Sequence, residues 1–319
     1  MRFKQLLFIG TLLGLGFTSC NKDDDDGGGT TVPERDRGEQ AIEDDEALQE
    51  YLSTHFYNYE EFETPPENFD YRIAIDTIAG ENEDKIALLD SDALMEKEVT
   101  DDSVSYTLYI LKVREGGGRK PTFADSTLVG YKGQLLNDNV FDQSLVVPLW
   151  FDFPGTITTN NRGQLVRVGY VEARGFIHGL TEFGEATNYT INPDNTVNWE
   201  NYGIGAIFMP SGLGYFSSAQ SGIPAYSPLI FEINLYRAVE ADHDRDGIPS
   251  WKEDLDEDEN LFNDDTDQNR YPNYFDTDDD GDGTPTRREI TILQDGTVEF
   301  PDKNNDGTPD YLDPDIFQE

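Results

Sequence analysis

Acidic residues at fixed spacing are the first pattern in the chain that could do chemistry. Asp242, Asp244 and Asp246 alternate, and Gly247, Ile248, Ser250 and Glu253 follow. In a twelve-residue loop these occupy positions 1, 3, 5, 6, 7, 9 and 12. That is the arrangement in which short carboxylates, a sharp glycine turn, a backbone carbonyl and a bidentate glutamate enclose calcium. Asp278, Asp280, Asp282, Gly283, Thr284 and Glu289 repeat it, and so do Asp302, Asn304, Asp306, Gly307, Thr308 and Asp313. A fourth copy, with Asp265, Asp267, Asn269 and Asp276, carries Arg270 in place of the glycine. Every copy has proline at position 8, namely Pro249, Pro272, Pro285 and Pro309, and none has a clear preceding helix. Composition alone describes an acidic disordered tail, but it does not account for Gly and Pro in register. Calcium is the expected structural cofactor, and it is expected to order the segment.

The chain of 319 residues has 65 Asp+Glu against 23 Lys+Arg, a formal net charge of -42. Such a surface repels phosphate backbones and excludes nucleic acid as a partner. The charge is clustered: from Asp242 onward there are 26 acids and 6 basic residues. His55, His178 and His243 are scattered, and with one cysteine they support no transition-metal site; His178 is expected at the surface or on a pocket rim. That cysteine, Cys20, allows no internal disulfide. It follows a basic start at Met1 to Lys4, an apolar run from Leu6 to Phe17, and the small residues Thr18 and Ser19. This is a secretory signal, too short for a comfortable span.

The signal resembles that of bacterial lipoproteins, with Phe17 where leucine is usual, and the resemblance implies acylation of Cys20 and a lipid anchor. The run Asn21 to Asp26, followed by Gly27 to Gly29, is similar to the surface-export signal of Bacteroidetes lipoproteins. It implies an outer-membrane lipoprotein facing the cell surface or the periplasm. The acidic loops themselves look like the thrombospondin type 3 repeats of secreted proteins.

Helical spacing of Ala41, Ile42, Leu48, Tyr51, Leu52 and Phe56 predicts an amphipathic helix between Gln40 and Phe62, ended by Pro65-Pro66. Arg72 to Ile78 and Val104 to Val113 alternate as strands do. Further β-branched and aromatic runs fill Thr122 to Ala238.

Three segments of that stretch resemble FKBP-type peptidyl-prolyl isomerases in family order. Leu128-Val-Gly-Tyr-Lys-Gly leads through Asn137-Asp138-Asn139 to Phe141-Asp-Gln-Ser144. Gly175-Phe-Ile-His-Gly-Leu-Thr-Glu182 is similar to the start of the central helix. Met209-Pro-Ser-Gly-Leu-Gly-Tyr215, Gly222-Ile-Pro224 and Ser227 to Leu235 match the loop, turn and closing strand. The resemblance implies an α+β fold, an FKBP-like antiparallel sheet wrapped on a short helix. To this are added an N-terminal helical extension and an irregular calcium-loop region. The expected segments are a signal peptide at 1–19, a tether at 20–38, the extension at 39–103, the isomerase domain at 104–239 and the acidic repeats at 240–319.

Carried over by position, the implied pocket comprises Tyr131, Phe141, Asp142, Phe151, Ile177, Leu180, Tyr215, Ile223 and Phe231. Its partners would be proline-containing polypeptides, and the chemistry needs no cofactor. The amide rotation barrier is about 18–20 kcal/mol, and uncatalysed X-Pro exchange takes roughly tens to hundreds of seconds. An apolar cleft that holds the proline ring, with a hydrogen-bond donor for the twisted state, lowers that barrier. Tyr215 is the expected donor and Asp142 the orienting group. Leu180 stands where the family has tryptophan, and Leu149 replaces an aromatic. These departures leave open a non-catalytic binding module stabilised by calcium.

Overall fold

The helix that opens the ordered chain shows how local signals and packing divide the task. The computed structural model describes residues 34–317; the signal segment, Cys20 and tether residues up to 33 lie outside the described residues. Helix α1, Arg37–Thr54, is capped by Asp36, whose carboxylate accepts a 2.9 Å hydrogen bond from the Glu39 amide. Gln40, Asp44, Leu48, Tyr51 and Leu52 form its buried face. The helix expected as far as Phe62 stops at Thr54. His55–Tyr57 instead becomes strand β1, paired antiparallel with β2 (Ile75–Thr77), and Phe56 and Tyr57 are buried. Aromatic residues suit a pleated, half-buried surface better than a helix. A short helix α2, Tyr59–Glu63, then runs to the proline pair.

The main sheet is antiparallel and six-stranded. Its strands are β3 (Leu94–Asp101), β4 (Val104–Arg114), β5 (Ser126–Leu135), β6 (Val140–Asp152), β11 (Gly203–Met209) and β12 (Leu229–Val239), in the order β3-β4-β11-β12-β5-β6. Because β3 and β4 form one hairpin, residues on both sides of position 103/104 share the sheet. Strand β11 is buried along its whole length, as a strand covered on both faces must be. Ile207 and Met209 join the core beneath helix α3 (Arg174–Leu180), whereas Ile204, Ala206 and Phe208 join the core beneath α1. Gly179 permits the first contact, since a Cβ there would lie 2.6 Å from Ile207 Cγ1.

Two hairpins lengthen the chain beyond this sheet. Strands β7 (Thr156–Thr159) and β8 (Leu165–Val168) fill the stretch between Phe151 and Ile177, and β9 (Asn188–Ile191) pairs with β10 (Val197–Glu200). The described architecture is α+β with antiparallel pairing.

After β12, regular structure is sparse: helix α4 (Thr286–Glu289), the hairpin β13 (Thr291–Ile292) and β14 (Val298–Glu299), and single 3-10 turns. Two small apolar clusters hold the segment. Ile248, Ile290, Val298 and Tyr311 form one. Leu261 and Tyr274 form the other with Ala124 and Ile157, which seats these loops against the β7–β8 hairpin. Among the described residues no helix is long and apolar enough to cross a membrane.

Candidate functional site

A cleft of ≈ 400 Å³ opens beside the sheet, lined by Tyr131, Phe141, Asp142, Phe151, Tyr215, Ile223 and Phe231, with Val171, Ala173, Phe176, Gln220 and Ser221. Strand β5 supplies Tyr131, β6 supplies Phe141, Asp142 and Phe151, and β12 supplies Phe231. The rings meet edge to face: Tyr131 with Phe151 at 5.4 Å between centroids, and Phe141 with Phe231 at 5.6 Å. Such pairs are preferred over face-to-face stacking. Gly133 makes the second pair possible, since a Cβ there would lie 2.4 Å from Phe141 Cε2 and 3.0 Å from Phe231 Cε1. The turn into β6 uses Asp138, not an asparagine, as its left-handed residue, at φ 63°.

Ile177 and Leu180 are not in this cleft. Ile177 lines a separate cavity of ≈ 170 Å³ together with Arg167, Arg174 and His178. Leu180 is fully buried in the core. The floor is Phe176, one turn earlier on the same helix face as Leu180. Its ring lies 5.3 Å from Phe151 and 5.0 Å from Phe231. A side chain that packs among core aromatics and also lines a cleft carries no distinguishing mark in sequence, which is why Phe176 was not anticipated.

The polar side of the cleft is small. Tyr131 donates a 2.5 Å hydrogen bond to Asp142 Oδ2, and Asp142 Oδ1 accepts from the Gln143 amide at 2.9 Å. Burial, followed by that bond, pushes the Tyr131 hydroxyl above its usual pKa, so it remains a donor. Burial also raises Tyr215, with Glu172 and Asp142 adding to the effect. No hydrogen bond from its hydroxyl is found among the described residues. The loop carrying Tyr215 is fixed from behind: Ser211 donates to Asp44 Oδ2 through both its amide (2.7 Å) and its hydroxyl (2.6 Å). Asp44 is buried on α1 and also accepts from Gln40 at 2.8 Å. The N-terminal helix therefore positions the Tyr215 loop.

His178 is buried, not at the surface or on the cleft rim. Burial, and then Arg174 and Lys97, push it down to about 4, so it is neutral near pH 7. His243, distant in sequence, bridges Asp152 Oδ1 (3.0 Å) and Ser250 Oγ (2.8 Å), tying the first acidic loop to the end of β6.

The acidic loops share one backbone form. In the loop from Asp242 the Gly247 amide donates to Asp242 Oδ2 (3.2 Å) and the Ile248 amide to Asp246 Oδ1 (2.6 Å). The loops from Asp278 and Asp302 do the same through Gly283 and Thr284, and through Gly307 and Thr308. In the loop from Asp265, Arg270 and Tyr271 take those places, with Arg270 at φ 83°. A fifth loop, absent from the sequence reading, follows the same scheme: Asp254, Asp256 and Asp258, with Glu259 at φ 58°. Its alternating acids were visible, but Leu261 stands where proline marks all four other copies, and Glu259 where three of them have glycine.

The loops differ in what their carboxylates face. In the loops from Asp242 and Asp278, Asp242, Asp244, Asp246, Asp278, Asp280 and Asp282 each keep one buried oxygen without a hydrogen bond, and Glu253 and Glu289 keep both. Burial first, then neighbouring carboxylates, raises Asp280 to about 6 and Glu289 to about 8. Glu253 rises for the same causes. Buried carboxylates that neither pair nor accept hydrogen bonds are costly, and a hard divalent cation is the group they fit. In the loops from Asp265 and Asp302 an asparagine amide takes the central place instead. Asn269 donates to Asp276 at 2.7 Å and Asn304 to Asp313 at 2.8 Å.

The family model described as BamM C-terminal matches residues 243–302, within the acidic loops. No curated protein matches the chain. Three solved structures are similar to part of the chain. One is a peptidyl-prolyl cis-trans isomerase from Pseudomonas syringae pv. tomato, at 20% identity over 47% of this chain and 84% of that one, with a TM-score of 0.31. FkpA from Escherichia coli is 19% identical over 63% of this chain and 61% of its own, with a TM-score of 0.33. The N-terminal domain of FKBP42 from Arabidopsis thaliana is 12% identical over 45% and 93%, with a TM-score of 0.30.

Proposed function

We propose that the aromatic cleft is the active site of an FKBP-type peptidyl-prolyl cis-trans isomerase acting on proline-containing polypeptides. The observation that carries this is the convergence of Tyr131, Phe141, Asp142, Phe151, Tyr215, Ile223 and Phe231 on one open cavity. The proline ring sits among the aromatic walls, and the Tyr215 hydroxyl donates to the substrate chain as its amide rotates. Phe176 supplies the floor, and Asp142, held by Tyr131, orients the peptide. Nothing covalent is required, because stabilising the twisted amide by about 1.4 kcal/mol gives each tenfold in rate. Purified protein in a proline-peptide isomerisation assay should accelerate exchange above background; no acceleration would remove the enzyme reading.

The second reading, a binding module without catalysis, is favoured by β6. This edge strand exposes Val146, Val147, Leu149 and Trp150, an apolar strip on which an extended peptide can lie. Binding of proline peptides without acceleration selects it.

We also propose that the acidic loops hold structural calcium, supported by the unpartnered buried oxygens of the loops from Asp242 and Asp278. The carboxylates named there, with the carbonyls of Ile248 and Thr284, would be the ligands; calcium supplies the charge that lets them stay buried and ionised. The export and anchoring reading rests on Cys20, and Cys20→Ala should abolish labelling by radioactive palmitate and release the protein from the membrane fraction.

A further inference from the structure

We infer that Asp279 is a ligand of the calcium centre built by the loop from Asp242, so that one ion cross-links two loops. This rests on the calcium reading above. Asp279 occupies position 2 of its own loop, beside the inward-facing Asp278, Asp280 and Asp282, which lie within 4.8 Å of one another. It is absent from that set. Its carboxylate meets Asp244 and Glu253 of the first loop instead, again with ligand atoms within 4.8 Å. Two oxygens on opposite sides of one Ca2+, at roughly 2.3–2.6 Å each, are separated by about that distance.

Burial makes this an assembled site. Glu253 is 0% and Asp279 1% exposed, and none of their four carboxylate oxygens accepts a hydrogen bond. Asp244, shared with the trio Asp242, Asp244 and Asp246, adds a buried free oxygen. The backbone of Asp279 is held in place by its amide, which donates to Oγ1 of the fully buried Thr286 at 3.1 Å. Ile248 of the first loop packs with Ile290, just after α4, which brings the two loops into contact. Fixed backbones thus hold carboxylates together that repel one another without a cation. The ion closes the chain between Glu253 and Asp279, a stretch that contains the loops from Asp254 and Asp265. Filling this centre therefore orders loops that contribute no ligand to it.

The test is calcium chloride titration by calorimetry, with thermal melts in calcium and in chelator, on the full chain and its Asp279→Asn variant. We expect the tightest binding step to weaken by at least about tenfold, since affinity follows the number of ligand charges. We also expect opposite melting shifts: lower than wild type in calcium, higher in chelator, because a buried unpaired carboxylate has been removed. If Asp279→Asn does not fold, Asp279→Glu, which keeps the charge and displaces it, replaces it with the same expected weakening. A wild type that binds calcium while the variant titrates identically overturns the cross-link alone. A wild type that binds none overturns the calcium reading as well.

Discussion

Single side chains carry the proposed chemistry, and their effects separate cleanly. Tyr215→Phe removes one hydroxyl and no packing volume. It should lower kcat/KM in the isomerisation assay about tenfold, the value of one hydrogen bond of roughly 1.4 kcal/mol made in the transition state, and leave the melting temperature unchanged. A melting shift with unchanged kcat/KM would assign Tyr215 to packing. Asp44 predicts the reverse balance. Its carboxylate, 2% exposed, accepts three hydrogen bonds. Asp44→Ala leaves the buried Ser211 donors unsatisfied and should cost about 1–3 kcal/mol, read as a shift in denaturant midpoint, with loss of activity as the Tyr215 loop loosens. Tyr131, Asp142 and Tyr215 were legible because short motifs surround them. Asp44 was not, because its partner lies far along the chain and only folding brings the two together.

At the scale of elements, backbone conformation matters more than side-chain chemistry. Position 6 is left-handed in all five acidic loops, and Arg270 and Glu259 adopt that conformation without being glycine. A left-handed non-glycine residue costs roughly 1–2 kcal/mol, less the entropy glycine loses on folding. Arg270→Gly should therefore raise stability by about 0.5–1 kcal/mol in denaturant melts in calcium; a loss of stability would mean that the arginine side chain has a role of its own. In the cleft, Gly133 is the sensitive position. Gly133→Ala should push the Phe141 and Phe231 rings apart, raising KM for proline peptides before it unfolds β5, as steady-state kinetics would show. Two strand segments, Arg72 to Ile78 and Val104 to Val113, were readable from their alternation, whereas the end of α1 was not, because the pull of β1 toward β2 is a non-local pairing.

For the molecule as a whole, the acidic segment has two small apolar clusters and a dense set of like charges. On the proposed calcium reading, chelation should release it to protease between about residues 242 and 317 while the six-stranded sheet stays resistant, because the sheet owns the large core and the loops would rely on their ions. The hairpin β7–β8 should loosen with it, since Ile157 packs on Leu261 and Tyr274. Hydrogen exchange with and without chelator would measure both changes. Equal protection in the two conditions would mean that the clusters alone suffice.

By itself the sequence determined whatever depends on spacing along the chain. That covers the alternating strands, the order of the cleft motifs, and four acidic loops in which a turn of fixed length brings its own acidic and amide side chains together. Only the tertiary structure decided which loops face one another, and so the placement of Asp279 against Asp244 and Glu253. It also decided that Phe176 replaces Leu180 as the cleft floor, and that α1 steadies the Tyr215 loop. Those contacts join residues whose separation in sequence sets no geometry, and packing alone selects them.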